Sequence, residues 1–137
     1  FDQAWALLKM PIVPNSLKER EGGYTGQFED PKTGEIKPLY IHGDYEDEVM
    51  TGSIPKIARA DFTPIDIDGR LHPDAWMPDD TRTDESFQRR GYMSAIYDAI
   101  ASILNQKDAQ LVRNPIQTEE GQQFWGDKET WPVREDL

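Results

Sequence analysis

Cysteine is absent from this sequence, which excludes disulfides, thiolate nucleophiles and cysteine-ligated metals and leaves the compartment open. Histidine is scarce. His42 and His72 stand far apart, one beside a glycine and the other beside a proline, and suggest neither a ligand set nor a triad. Positive charge is also short: 15 bases face 26 acids, a formal net charge of −11. Such a surface repels polyphosphate and anionic lipid on average, so broad nucleic-acid binding is not expected. No apolar run is long enough to span a bilayer and no positively flanked secretory segment is present. A cytoplasmic setting without membrane contact is therefore expected, and the start on Phe1 rather than methionine suggests an upstream piece. No serine sits in a nucleophile elbow, and no glycine pattern fits a dinucleotide fold or P-loop. Asp66, Asp68 and Gly69 open like a calcium loop, but Arg70 and Leu71 break the acid spacing, so no metal site is expected.

What remains suits one folded unit. A chain of 137 residues buries roughly two thirds of its unfolded surface, and 10% aromatic residues is too many for a disordered chain. Phe1, Trp5 and Leu8 share a helical face that Pro11 and Pro14 end, giving a short amphipathic helix able to pack on the core or dock on a protein partner. Tyr24 to Phe28 and Ile36 to Ile41 read as strands of a hairpin turning through Asp30, Pro31 and Gly34. The acid-rich Asp44 to Glu48 reads as a solvated loop. Ile54 to Asp68 alternates as a strand with a bend at Pro64, and Gly69 to Ser86 shows no period, so a long loop is expected there.

The sharpest pattern follows. Met93, Ile96, Tyr97, Ile100, Ile103 and Leu104 recur at helical spacing, and Gln88, Arg89, Arg90 and Gly91 stand just before them. A glycine turn flanked by arginines and leading into a helix suits phosphate groups, because the first amides of a helix point outward and its dipole favours anions. The same pattern also fits an ordinary helix start. Ala109 to Pro115 reads as a short strand, Glu119 to Trp125 as a last short helix behind the cap candidate Thr118, and Gly126 to Leu137 as a loosely attached polar tail.

The order of strand, arginine-glycine loop, amphipathic helix, strand and short helix ending in "EGQQFW" resembles the GNAT N-acetyltransferase superfamily, particularly its small phage-type members. The resemblance runs from about Ile57 to Trp125. It implies an α/β fold with a mixed central sheet and flanking helices. It also implies acetyl-CoA as cofactor, held by Gln88, Arg89, Arg90, Gly91, Tyr92, Met93 and Ser94, with Asn114 as a further contact to its pantetheine. Met93 stands where that family has Gly or Ala. The implied reaction is attack of a neutral amine, on a small molecule or a lysine side chain, at the thioester carbonyl. Asp66, Asp68 or Asp61 is the candidate base. The tyrosine that the family often places near its last strand is missing from "RNPIQTEEGQQFW", which leaves Tyr97 as the candidate proton donor. The alternative is a degenerate member that keeps the fold as a binding or structural module, such as part of a virus particle.

Overall fold

The computed structural model describes residues 13, 16–30, 33–44, 48–67, 69–84, 92–112, 125 and 130–133. Seven strands form one sheet in chain order: β1 (Lys18–Arg20), β2 (Gly23–Glu29), β3 (Ile36–Asp44), β4 (Val49–Ile54), β5 (Ala58–Ile67), β6 (Arg70–Thr83) and β7 (Gln110–Leu111). The helix α1 (Tyr92–Gln106) comes between β6 and β7 in the chain. Strands β1 to β6 form an antiparallel meander, whereas β7 joins β6 in parallel. The sheet curls into a half-barrel, and α1 packs on β2, β4, β5 and β7.

This architecture overturns the expected α/β fold, in which a mixed sheet carries flanking helices. The protein is mostly antiparallel sheet, and α1 is the one helix described from end to end. Two stretches account for the difference. No strand is expected over Val49 to Ser53, and Ile54 is expected to open the strand that runs to Asp68; instead Ile54 ends β4, where Met50 and Ile54 point to the core beside Gly52 while Val49, Thr51 and Ser53 do not, and a turn over residues 55–57 precedes β5. Gly69 to Ser86, expected as a long loop, contains the whole of β6, because β5 offers it a pairing edge from Ala58↔Thr83 to Ile67↔Arg70. Register pairing to a neighbour outweighs the prolines and acids that argue against a strand locally. Asp68 and Gly69 are all that link β5 to β6, and Gly69 adopts φ +78°, the left-handed conformation favoured in such tight links.

Other expectations match. The hairpin of β2 and β3 runs as read, and the bend at Pro64 coincides with a register shift between Pro64 and Ile65. The core lies on the concave side, where Phe28, Leu39, Ile41, Met50, Phe62 and Trp76 meet Ile96, Ile100, Ile103 and Leu104 of α1. The N-terminal amphipathic segment lies outside the described residues.

The approach of α1 depends on a missing side chain. A Cβ on Gly52 would overlap Cγ2 of Ile96 and stand 3.2 Å from Cδ1 of Ile41, so the helix rests on bare strand at this point. Gly52→Val is expected to cost about 1–3 kcal/mol through overpacking, read as a lower urea midpoint, with Gly52→Ala intermediate. Equal midpoints for all three chains would refute this seating of α1 on β4.

Candidate functional site

Strand β6 and strand β7 are parallel neighbours joined through α1, the one crossover of this kind among the described residues. Parallel pairing of adjacent strands requires such a crossover, usually helical. Its register is short: Ala75 pairs with Gln110 and Trp76 with Leu111, and the Val112 amide donates to the Trp76 carbonyl at 2.7 Å. Strand β6 then runs on from Met77 to Thr83. Chain connectivity places the arginine-glycine motif between the end of β6 and the start of α1. Only Asp84 to Phe87 separate Thr83 from Gln88, in place of the long loop expected from the sequence.

The first turn of α1 is fixed from the side of the sheet. Tyr92 is 1% exposed, stacks on Phe28 with ring centroids 4.2 Å apart, and donates its hydroxyl to Asp30, itself 1% exposed. Asp30 also closes the β2–β3 turn: its amide donates to the Glu35 carbonyl at 2.9 Å and its carbonyl accepts from the Gly34 amide at 2.7 Å. Met93 is half-buried and packs against the core, and Ser94 is half-buried. The turn holds no acidic side chain, so no carboxylate of its own competes for its outward amides. Of the residues expected at a cofactor, Tyr92, Met93 and Ser94 share this turn. Gln88, Arg89, Arg90, Gly91 and Asn114 lie outside the described residues.

Of the expected catalytic residues, the side chains of Tyr97 and Asp61 are described. Tyr97 is 3% exposed, boxed by Phe62, Trp125 and Trp131 at 5.4, 5.7 and 5.0 Å between centroids. Burial pushes its pKa up, only partly opposed by a hydrogen bond with Trp125. That is the setting of a packing residue. Its raised pKa contributes stability that is present below the unfolded value near 10 and lost as pH climbs toward the folded one. Tyr97→Phe, which keeps the ring, is expected to leave any acyl transfer within about twofold and stability within about 1.5 kcal/mol; a loss of kcat with KM unchanged would restore Tyr97 as the acid.

Asp66 lies in β5 paired with Leu71, and Asp68 is outside the described residues. Asp61, the third candidate base, alternates with the buried Ala60 and Phe62, so it sits on the face away from α1. There it accepts from the Thr51 hydroxyl at 2.7 Å and pairs with Arg59 at 3.5 Å. A carboxylate engaged in this way on the far face is poorly placed to serve chemistry beside α1.

Comparison with known protein families, curated proteins and solved structures finds no match to this chain. Among the described residues no three histidine or carboxylate side chains gather as a metal site, and no helix is long and apolar enough to cross a membrane. Sequence reasoning missed two buried polar pairs, Tyr92 with Asp30 and Trp131 with Asp98, the latter at 2.9 Å. Asp30 read as an ordinary turn residue and Trp131 as part of a polar tail. A large aromatic in a tail otherwise poor in apolar residues was the available signal for the second pair.

Proposed function

We propose that the chain binds an acyl-CoA, acetyl-CoA in the first instance, where β6 leads into α1, and passes the acyl group to an amine of a small molecule or a lysine side chain. The observation that carries this reading is the β6–α1–β7 crossover, in which α1 follows directly on a Gln-Arg-Arg-Gly motif. Helix starts reached through a glycine turn suit phosphate. The residues present fit such a group. The first turn of α1 is free of acids, and Met93, which would obstruct an approaching phosphate if it projected outward, packs toward the core. Arg89 and Arg90 supply cations on a chain otherwise rich in acids. The bound group supplies a thioester carbonyl open to amine attack. The chain's own part is to neutralise the phosphates and to fix the first amides of α1 in direction.

A second reading has a specific observation behind it. Tyr97 is enclosed by aromatic rings rather than open to a leaving thiolate, which favours a module that binds without turning over, inside a cell or in a virus particle. Calorimetric titration with acetyl-CoA, paired with release of free thiol in the presence of an amine panel, separates the two. The absence of cysteine makes the thiol assay free of protein background. Binding with thiol release supports transfer, binding without release supports the module, and no binding at millimolar acetyl-CoA refutes both.

A further inference from the structure

We infer that the outer face of the sheet binds single-stranded nucleic acid, with phosphates held along one row of cations and a base stacked at its centre. Nothing on this face belongs to the acyl-CoA reading, and either stands if the other falls. Residues paired directly across neighbouring strands point to the same side of a sheet, and the pairings Lys18↔Thr25, Thr25↔Tyr40, Tyr40↔Ser53, Ser53↔Arg59 and Arg59↔Arg82 line up one residue from each of β1 to β6. This side faces away from α1, because Leu39 and Ile41 beside Tyr40, and Ala58 and Ala60 beside Arg59, are buried in the core. The row holds three cations, one aromatic ring and two hydroxyls, and no carboxylate. With strands about 4.8 Å apart it spans roughly 24 Å, the reach of a few nucleotides.

On a chain of net charge −11 such a row is a local exception. The next row along the strands runs Arg20, Gly23, His42, Thr51, Asp61 and Asp80. It sets His42 beside Tyr40, with ring centroids 6.4 Å apart and planes within 22° of parallel, and it sets the two acids beside the arginines. Arg59 meets Asp61 at 3.5 Å and Arg82 meets Asp80 at 3.8 Å, yet the arginine side chains are 65% and 81% exposed. Exposed pairs of this kind contribute little, so each guanidinium is free to turn to a phosphate, which it grips by stronger, often bidentate bonds. Tyr40 is half-buried, whereas Tyr24, Tyr92 and Tyr97 are buried in the core. Lys18 and Arg59 lie two strands to either side of it. A ring open to stacking between cations that track a backbone is the means by which single strands are bound with little regard to sequence. A duplex hides the faces of its bases, and an acidic peptide offers charge without a ring to stack on Tyr40.

The test follows the anisotropy of a labelled oligothymidylate titrated with the full chain at about 50 mM and about 200 mM salt. Three phosphate contacts predict a slope of log affinity against log salt of about −2, and Arg59→Gln with Arg82→Gln should reduce it to about −0.7 while weakening binding. Tyr40→Leu should weaken binding at least about fivefold at an unchanged slope, and Tyr40→Phe, which keeps the ring, should bind as the unsubstituted chain does. Lys37→Gln with Lys107→Gln removes the same charge away from the row, since Lys37 pairs with the core residue Phe28 and Lys107 follows α1; it should leave affinity within about twofold. No binding at the lower salt, an unchanged slope in the arginine pair, or equal weakening by the lysine pair overturns the inference. Equal affinity for the duplex of the same oligonucleotide overturns it as well, and so does displacement by polyglutamate at equal charge, which would assign the face to an acidic protein segment instead.

Discussion

Trp131→Ala is expected to lower the free energy of unfolding by about 3–5 kcal/mol, the range for removing a large aromatic from a packed core. Trp131 is 7% exposed and meets both Tyr97 and Trp125 edge to face, at 5.0 Å and 5.3 Å between centroids. Its indole N–H donates to the buried Asp98 at 2.9 Å, and its backbone amide donates to the Leu111 carbonyl at 2.8 Å. The preceding Thr130 bridges to Val112, so the segment closes over β7 and α1 together. Alanine keeps the backbone bond but removes the ring contacts and the donor to Asp98. The first loss leaves a cavity, and the second takes a partner from a buried carboxylate. Domains of this kind are stable by about 5–15 kcal/mol in all, so a loss of this size should leave the variant near the edge of folding at 37 °C. Urea unfolding followed by far-ultraviolet circular dichroism checks it without relying on the fluorescence of the removed indole. A midpoint equal to that of the unsubstituted chain would show that the tail contributes nothing to the core.

Legibility of the fold from sequence followed the strength of local period. The apolar repeat from Met93 to Leu104 announces α1 because one helical face meets one core, and the alternation in β2, β3 and β5 announces half-buried strands. Strand β6 stayed hidden. Pro78, Asp79, Asp80 and Arg82 break its alternation, and its extended form is set by β5 rather than by its own residues. Strand β4 stayed hidden for a different reason: its decisive core-facing position is Gly52, and a glycine chosen for the close approach of Ile96 carries no apolar signal. With these two strands unread, the resemblance to the GNAT superfamily supplied an α/β layer where the chain forms a curled antiparallel sheet. At the site, the arginine-glycine motif was readable as a motif. What lies behind it was not, since a contact between Asp30 and Tyr92 joins residues far apart in sequence, and neither one announces its partner.

The charge-reversed pair Arg89→Glu with Arg90→Glu is expected to weaken acetyl-CoA binding by about a hundredfold. Two charge-assisted hydrogen bonds at roughly 1.5 kcal/mol each sum to about 3 kcal/mol, and about 1.4 kcal/mol corresponds to tenfold. The rest of the chain sharpens the expectation. With a net charge of −11, the surface as a whole repels a polyphosphate, so a local cation pair must overcome an unfavourable background, and two new carboxylates add to it. Salt provides an internal check. Affinity of the unsubstituted chain should fall as ionic strength rises from 0.01 M to 0.15 M, because the Debye length shrinks from about 30 Å to about 8 Å. The reversed pair should show a smaller fall, or a rise as salt screens its repulsion. Titration calorimetry at two salt concentrations measures all of this. An unchanged dissociation constant with an unchanged salt dependence would move the anion site away from the segment between β6 and α1, and with it the reading that the crossover exists to hold a cofactor.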